Sequence, residues 1–136
     1  PLVYEHPKTK RSIEVPEGFV TDLASVPRLF WAAFPPCGQY TSAAVVHDYL
    51  YWEQPAWCDR KAADQVLLTA MEESNVNYTT RTAIYRSVRA GGNSAWKNNS
   101  KLKKSGAIRY VPNEHMGFGP NDTWHQIEQR IRAAGH

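Results

Sequence analysis

The sequence has few cysteines and no long apolar run, and both absences exclude whole classes of protein. Its two cysteines, Cys37 and Cys58, are too few for a disulfide-rich scaffold or a cysteine-based zinc site, and they form no CxxC redox motif. No apolar run approaches the roughly 20 residues that cross a bilayer, and no signal-peptide pattern is present. We therefore expect a soluble domain with structural or inert cysteines, whether or not these two pair.

The excess of basic over acidic residues is also small. The 16 lysines and arginines against 13 acidic residues give a formal net charge of +3 and an isoelectric point near 9.0. With 42% hydrophobic and 21% charged residues over 136 positions, the chain has the composition of one globular domain. Its mild positive charge favours an anionic partner, such as a lipid surface or a cell-wall polymer, without choosing among them.

The order of sequence patterns predicts a single, mainly helical α+β domain. Alternation of apolar and polar residues predicts an N-terminal β-hairpin over about residues 1–22, and longer periods predict a helical core over about 24–93. Within that core, an antiparallel helix pair is expected, because two of the helices are joined by a short loop. A basic loop and a C-terminal helix complete the domain over about 97–136. The predicted helices cover about 28–34, 42–53, 59–74, 79–90 and 123–136.

Unusual polar residues interrupt the apolar stretch AAVVHDYLY at 43–51. His47 and Tyr51 are four residues apart and share a helix face with Ala43 and Ala44, so they point toward packing rather than water. Asp48 lies about 100° around the helix, at the edge of that stripe. In the next helix Asp64 occupies the apolar face and therefore needs a hydrogen-bond donor or a metal. Packing of the two helices would bring Asp64 to the His47 ring and the Tyr51 hydroxyl.

This cluster predicts a hydrolytic site. A carboxylate that holds one imidazole nitrogen makes the other a general base, which gives catalytic roles to His47, Asp64 and Tyr51. Asp48 would hold a hard cation beside that base, with Asp22 in the TDLAS turn as a second metal ligand. The competing interpretations are a hydrogen-bonded structural pair at His47 and a backbone-capping turn at Asp22.

Two arginines on a later helix form a weaker candidate site. Arg81 and Arg89, with Tyr85 between them, recur at intervals of four residues and predict either substrate or anion binding or a solvated face with salt bridges. The lysines between 97 and 104 suit a solvated loop. Because no aromatic residues alternate with these cations and no nucleic-acid motif is present, nucleic acid is not an expected partner.

Several linked motifs resemble a known family. The strings GFVTDLASVPRLFW, PPCGQYTSAAVVHDYLY, DRKAADQVLLTAM and RTAIYRSVRAGGNSAW occur in this order over roughly residues 12–96. Together they resemble the phage- and prophage-associated domain-of-unknown-function family 1353. That resemblance implies a phage or secretion-system context, hence a phage-encoded or exported protein, and implies no established activity.

The HDxxY helix and the aspartate of the following helix also resemble phospholipases A(2). This resemblance implies that His47 is the general base, Asp48 a calcium ligand, Asp64 the carboxylate that orients His47, and Tyr51 a hydrogen-bond partner of Asp64. Asp59 competes with Asp64 for its role, but Asp59 is better placed as a helix cap.

The resulting hypothesis is a metal-assisted hydrolase with a His–Asp dyad, similar to a phospholipase A(2) and acting on an anionic lipid or another cell-envelope substrate. Its expected cofactor is a divalent metal, calcium in preference to zinc. One alternative is a zinc-dependent cell-wall hydrolase that uses His47, Asp48 and Asp22 as ligands. Another is a non-catalytic phage structural or accessory module in which the polar cluster fixes the helix pair.

Overall fold

The computed structural model describes residues 1–21, 39–111 and 123–134, without the side chains of residues 39–41. A two-stranded hairpin precedes four helices in this part of the chain, which confirms the mainly helical α+β class. The elements are β1 (Leu2–Glu5), β2 (Ser12–Val15), α1 (Gln39–Glu53), α2 (Arg60–Glu73), α3 (Tyr78–Lys104) and α4 (Trp124–Ala133). The predicted short helix over 28–34 lies outside the described residues.

The hairpin covers one side of the helical core. Strands β1 and β2 pair antiparallel, with Leu2 opposite Val15 and Tyr4 opposite Ile13. Alternate residues of β2 are buried, as expected for a strand with one face on a core. Ile13 and Val15 pack into a cluster with apolar residues of α1 and α2. The sheet therefore closes the outer side of the helix pair.

Helices α1 and α2 form the predicted antiparallel pair. Ala43, early in α1, belongs to one buried cluster with Met71, late in α2, whereas Leu50, late in α1, packs with Ala63, early in α2. Asp59 caps α2 as predicted, since its side chain accepts a hydrogen bond from the backbone N–H of Ala62 at 2.8 Å. This arrangement places the middle of α1 beside the first turns of α2.

The predicted end of the helix over 79–90 and the predicted basic loop after it are wrong. Helix α3 continues through Gly91 and Gly92 and ends at Lys104. Contacts with α1 hold the additional turns: Gln54 donates to the carbonyl of Trp96 at 2.8 Å, and Asn99 donates to the carbonyl of Tyr51 at 3.3 Å. These tertiary contacts outweigh the low helix propensity of glycine. Lys101, Lys103 and Lys104 of the predicted loop instead occupy the last helical turn, where cations interact favourably with the helix dipole.

The C-terminal helix packs on a small separate cluster. Thr123 caps α4, and Gln126 completes a capping box with it, so this helix begins where the sequence predicted. Ile127 and Ile131 bury their side chains against Val111. In the described ranges, no helix combines the length and apolarity that crossing a membrane requires.

Candidate functional site

A fully buried carboxylate, that of Asp64, lies at the junction of the first three helices. Its Oδ1 atom accepts hydrogen bonds from His47 Nε2 at 2.8 Å and from the Tyr51 hydroxyl at 2.7 Å. Its Oδ2 atom contacts Nη1 of Arg89 at 2.7 Å and Nη1 of Arg60 at 3.5 Å. The predicted contacts of Asp64 with His47 and Tyr51 are therefore confirmed, and two arginines join them. We call these five residues the Asp64 network.

Three of the five network residues lie in the core rather than at the surface. The His47, Tyr51 and Asp64 residues are each 0% exposed, and the His47 and Tyr51 rings, one helical turn apart on α1, lie 4.3 Å apart between centroids. Trp96 of α3 packs edge-on against Tyr51, at 5.2 Å between ring centroids. These packed rings fix the His47 imidazole in one orientation relative to Asp64.

The network stabilises the ionised form of the Asp64 carboxylate. Burial alone would raise the pKa of Asp64, but hydrogen bonds from His47, Tyr51 and Arg89 outweigh burial and hold the pKa below its usual value. Burial and the hydrogen bond to Asp64 raise the pKa of the Tyr51 hydroxyl. The separate hydrogen bond that Arg89 donates to Asp64 raises the pKa of Arg89. Asp64 is therefore an anion, and Tyr51 and Arg89 remain hydrogen-bond donors at neutral pH.

The ionisation of Asp64 determines which nitrogen of the His47 ring carries hydrogen. A carboxylate can only accept hydrogen bonds, so Nε2 of His47 must carry the hydrogen of this 2.8 Å contact. In the neutral imidazole, Nδ1 then carries the lone pair.

A glycine on α3 makes room for the network. A Cβ atom built at Gly92 would overlap the Tyr51 hydroxyl and would lie 3.2 Å from Nη1 of Arg60. The Arg60 guanidinium also donates to the backbone carbonyls of Val88 and Arg89, at 3.1 and 3.2 Å. Arg60 therefore links α2 to the α3 backbone, and Gly92 leaves room for the Tyr51 hydroxyl of α1 and for the Arg60 side chain.

The Asp64 network does not include three of the predicted site residues, Asp48, Asp22 and Arg81. Asp48 is buried, at 3% exposed, and Asp22 lies outside the described residues. Arg81 donates to the carbonyl of Val76 at 3.0 Å and its guanidinium lies over the Tyr78 ring, so it does not converge with Arg89. Arg89 does bind an anion, but the anion is Asp64 of the same chain.

Most of the chain matches one family of proteins. A family model described as "Protein of unknown function (DUF1353)" matches residues 1–88. The chain belongs to this family. Searches of curated proteins and of solved structures returned no match. The segment that matches DUF1353 includes His47, Tyr51 and Asp64 and ends one residue before Arg89.

No metal site is formed by the described part of this DUF1353 chain, in which no three His, Cys, Asp or Glu side chains converge. His47 and Asp48 do not fit a metal by themselves, because adjacent helical residues diverge by about 100° and Nε2 of His47 is bound to Asp64. The cation at Asp48 stays a prediction, since its second predicted ligand, Asp22, lies outside the described residues.

The thiol of Cys58 is buried and unreactive. This residue is 3% exposed, and burial raises the pKa of its thiol to about 11. Such a thiol is protonated and a poor nucleophile at neutral pH, as the sequence interpretation of an inert cysteine requires. Cys37 lies outside the described residues.

Sequence reasoning missed Arg60 and Gly92. Arg60 could have been found, because it lies four residues before Asp64 on the same helix, the spacing of a helical ion pair. The pair Gly91-Gly92 is typical of a helix end, and no local pattern distinguishes a terminating glycine from one that a neighbouring side chain requires.

The lowered pKa of Asp64 predicts a specific acid sensitivity. A carboxyl with a depressed folded-state pKa contributes stability above its unfolded pKa, near 3.8, and loses that contribution as the pH falls through the lower folded value. We expect the difference in unfolding free energy between the wild type and Asp64→Asn to shrink as the pH drops below 3.8. Urea denaturation over an acidic pH series measures it. A difference that grows in acid would contradict the assignment.

Proposed function

We propose that the chain is a hydrolase in which His47 is the general base and Asp64 orients it. The observation that carries this proposal is the 2.8 Å contact between His47 Nε2 and an Asp64 carboxylate that the network keeps ionised. His47 Nδ1 would take a proton from a water that attacks the substrate carbonyl. The resulting imidazolium, stabilised by Asp64, would return that proton to the leaving alkoxide.

The free-energy cost of burying the charged groups of the Asp64 network supports a functional role. Buried ion pairs seldom stabilise a fold more than apolar residues of the same volume would. A small domain that buries His47, Asp48 and Asp64 between its helices accepts that cost, and such clusters are concentrated at functional sites. The substrate class we propose is a lipid ester, since the net charge of +3 favours an anionic surface and the HDxxY helix resembles that of phospholipases A(2).

A divalent cation remains part of the proposal through Asp48 and Asp22, with calcium preferred to zinc. Calcium takes oxygen ligands, which these carboxylates supply, whereas a zinc-dependent cell-wall hydrolase would also need a nitrogen of His47. Because Nε2 is held by Asp64, only Nδ1 could serve zinc, and the base would then be lost.

A second candidate function is a non-catalytic module whose buried network fixes the helix pair. The observation that favours it is the complete burial of His47 and Asp64, each 0% exposed. Under this proposal the network sets the register and the approach of the three helices, a specificity role that buried polar groups can serve.

Activity measurements distinguish the two candidates. We expect the full chain to release fatty acid from phosphatidylglycerol vesicles, and His47→Gln and Asp64→Asn to lower that rate at least about a hundredfold while remaining folded. His125→Gln, a matched change at an exposed histidine of α4, should leave the rate unchanged.

Each other outcome has a defined meaning. Loss of activity on chelation and recovery with calcium supports the cation, and cleavage of peptidoglycan instead of lipid supports the cell-wall alternative. If neither substrate is cleaved and both variants lower only the melting temperature, the hydrolase proposal is wrong and the non-catalytic module stands.

A further inference from the structure

A cleft of about 660 Å³ lies between the hairpin and helix α2. This volume is within the range of small-molecule sites, which is roughly 300–1,000 Å³. Eight described residues line the cleft: His6, Thr9, Arg11, Ile13, Trp57, Ala62, Gln65 and Val66. Ala62 and Val66 lie about 160° around α2 from Asp64, so the cleft and the Asp64 network occupy opposite faces of this helix.

One wall of the cleft is apolar and rigid. Ile13 and Val66 are 3% and 6% exposed and belong to the core, so their positions are fixed by packing. Ala62 leaves space between them, while Trp57 retains 44% of its surface exposed at the rim. An exposed indole beside a concave apolar wall is a surface that an aliphatic or aromatic group would cover.

The lining of the cleft also carries a positive charge. The Arg11 guanidinium stacks on the Trp57 ring at 4.3 Å from its centroid and has no carboxylate partner among the described residues. Stacking occupies the face of the guanidinium, while its N–H groups point outward in the plane and can donate to an anion. Lys10, by contrast, is paired with Glu5. None of the eight lining residues is acidic.

A second donor lies near this cation. His6 Nδ1 accepts from the backbone N–H groups of Lys8 and Thr9, at 3.2 and 3.3 Å. In this arrangement Nε2 is the ring nitrogen that carries hydrogen, so the imidazole offers a donor to the cleft that it lines. The exposed Gln65 also lines the cleft, and its amide donates a 2.7 Å hydrogen bond to the Tyr85 hydroxyl.

We infer that this cleft binds a single anionic amphiphile, a molecule with an apolar chain and a phosphate or similar oxyanion head. The chain would lie against Ile13, Ala62 and Val66, and the head would accept hydrogen bonds from Arg11. This site is independent of the Asp64 network and of the proposed hydrolase activity, because none of its residues belongs to that network.

Titration of the full chain with octyl phosphate, below its micelle concentration, tests the inference. We expect saturable binding of one molecule, followed by calorimetry and by the indole N–H resonance of Trp57, which Trp57→Phe identifies. Arg11→Gln should weaken the binding about tenfold, since it removes a charge-assisted hydrogen bond. Ala62→Leu should also weaken it by filling the apolar wall, without lowering the melting temperature.

Matched probes and a control variant make the result decisive. Lys61→Gln removes the same charge from an exposed position of α2 that does not line the cleft, and it should change the affinity by less than about twofold. Octyltrimethylammonium should bind far more weakly than octyl phosphate. Equal binding of that cation, equal binding of inorganic phosphate, or an equal loss in Lys61→Gln and Arg11→Gln would overturn the inference, as would the absence of saturable binding.

Discussion

Replacing Asp64 with alanine is expected to lower the free energy of unfolding by about 3 to 5 kcal/mol. The change leaves the His47 ring and the Tyr51 hydroxyl buried without the acceptor that they share, and an unmade buried hydrogen bond costs about 1 to 3 kcal/mol. It also removes the anion that faces Arg60 and Arg89, whose side chains are 19% and 31% exposed. Chemical denaturation at neutral pH measures the loss.

Asp59→Ala is the matched control, because it makes the same change five residues earlier on the chain. The Asp59 side chain caps α2 through one backbone N–H, and loss of such a cap costs about 1 kcal/mol. We therefore expect Asp64→Ala to be several times more damaging than Asp59→Ala. If the two losses are similar, the Asp64 network does not hold the three helices together as we describe.

Helical periodicity predicted the centre of this network because the relevant distances are local. His47 and Tyr51 are one turn apart on α1, and a short loop leads to the helix that carries Asp64, so the two helices could pack in few ways. The contacts at 2.8 and 2.7 Å follow from that limited choice. Only the roles of these residues, which depend on substrate access and on a cation, go beyond what periodicity can predict.

Two features of helix α3 could not be predicted from local sequence patterns. Its continuation through Gly91 and Gly92 depends on contacts of its later turns with α1, and these come from residues more than 40 positions away. The placement of Arg89 on Asp64 depends on how α3 crosses α2, which the spacing of arginines along one helix cannot specify. Long-range packing therefore decided both features against local propensity.

The two adjacent glycines of α3 offer a sharper test of that packing. Gly92→Ala is expected to destabilise the protein by about 2 to 4 kcal/mol, because the new Cβ would overlap the Tyr51 hydroxyl. Tyr51 is 0% exposed and packed against His47 and Trp96, so its ring cannot swing aside. The hydroxyl would have to leave Asp64, and the network would lose one of its donors.

Gly91→Ala serves as the control for helix propensity. A Cβ at this position meets nothing within 4 Å, so the substitution should stabilise α3 by up to about 1 kcal/mol. In the Tyr51→Phe background, Gly92→Ala should cost much less than in the wild type, since the atom that it displaces is already absent. Equal costs of Gly92→Ala in both backgrounds, measured as a double-mutant cycle of unfolding free energies, would show that Gly92 does not make room for the Tyr51 hydroxyl.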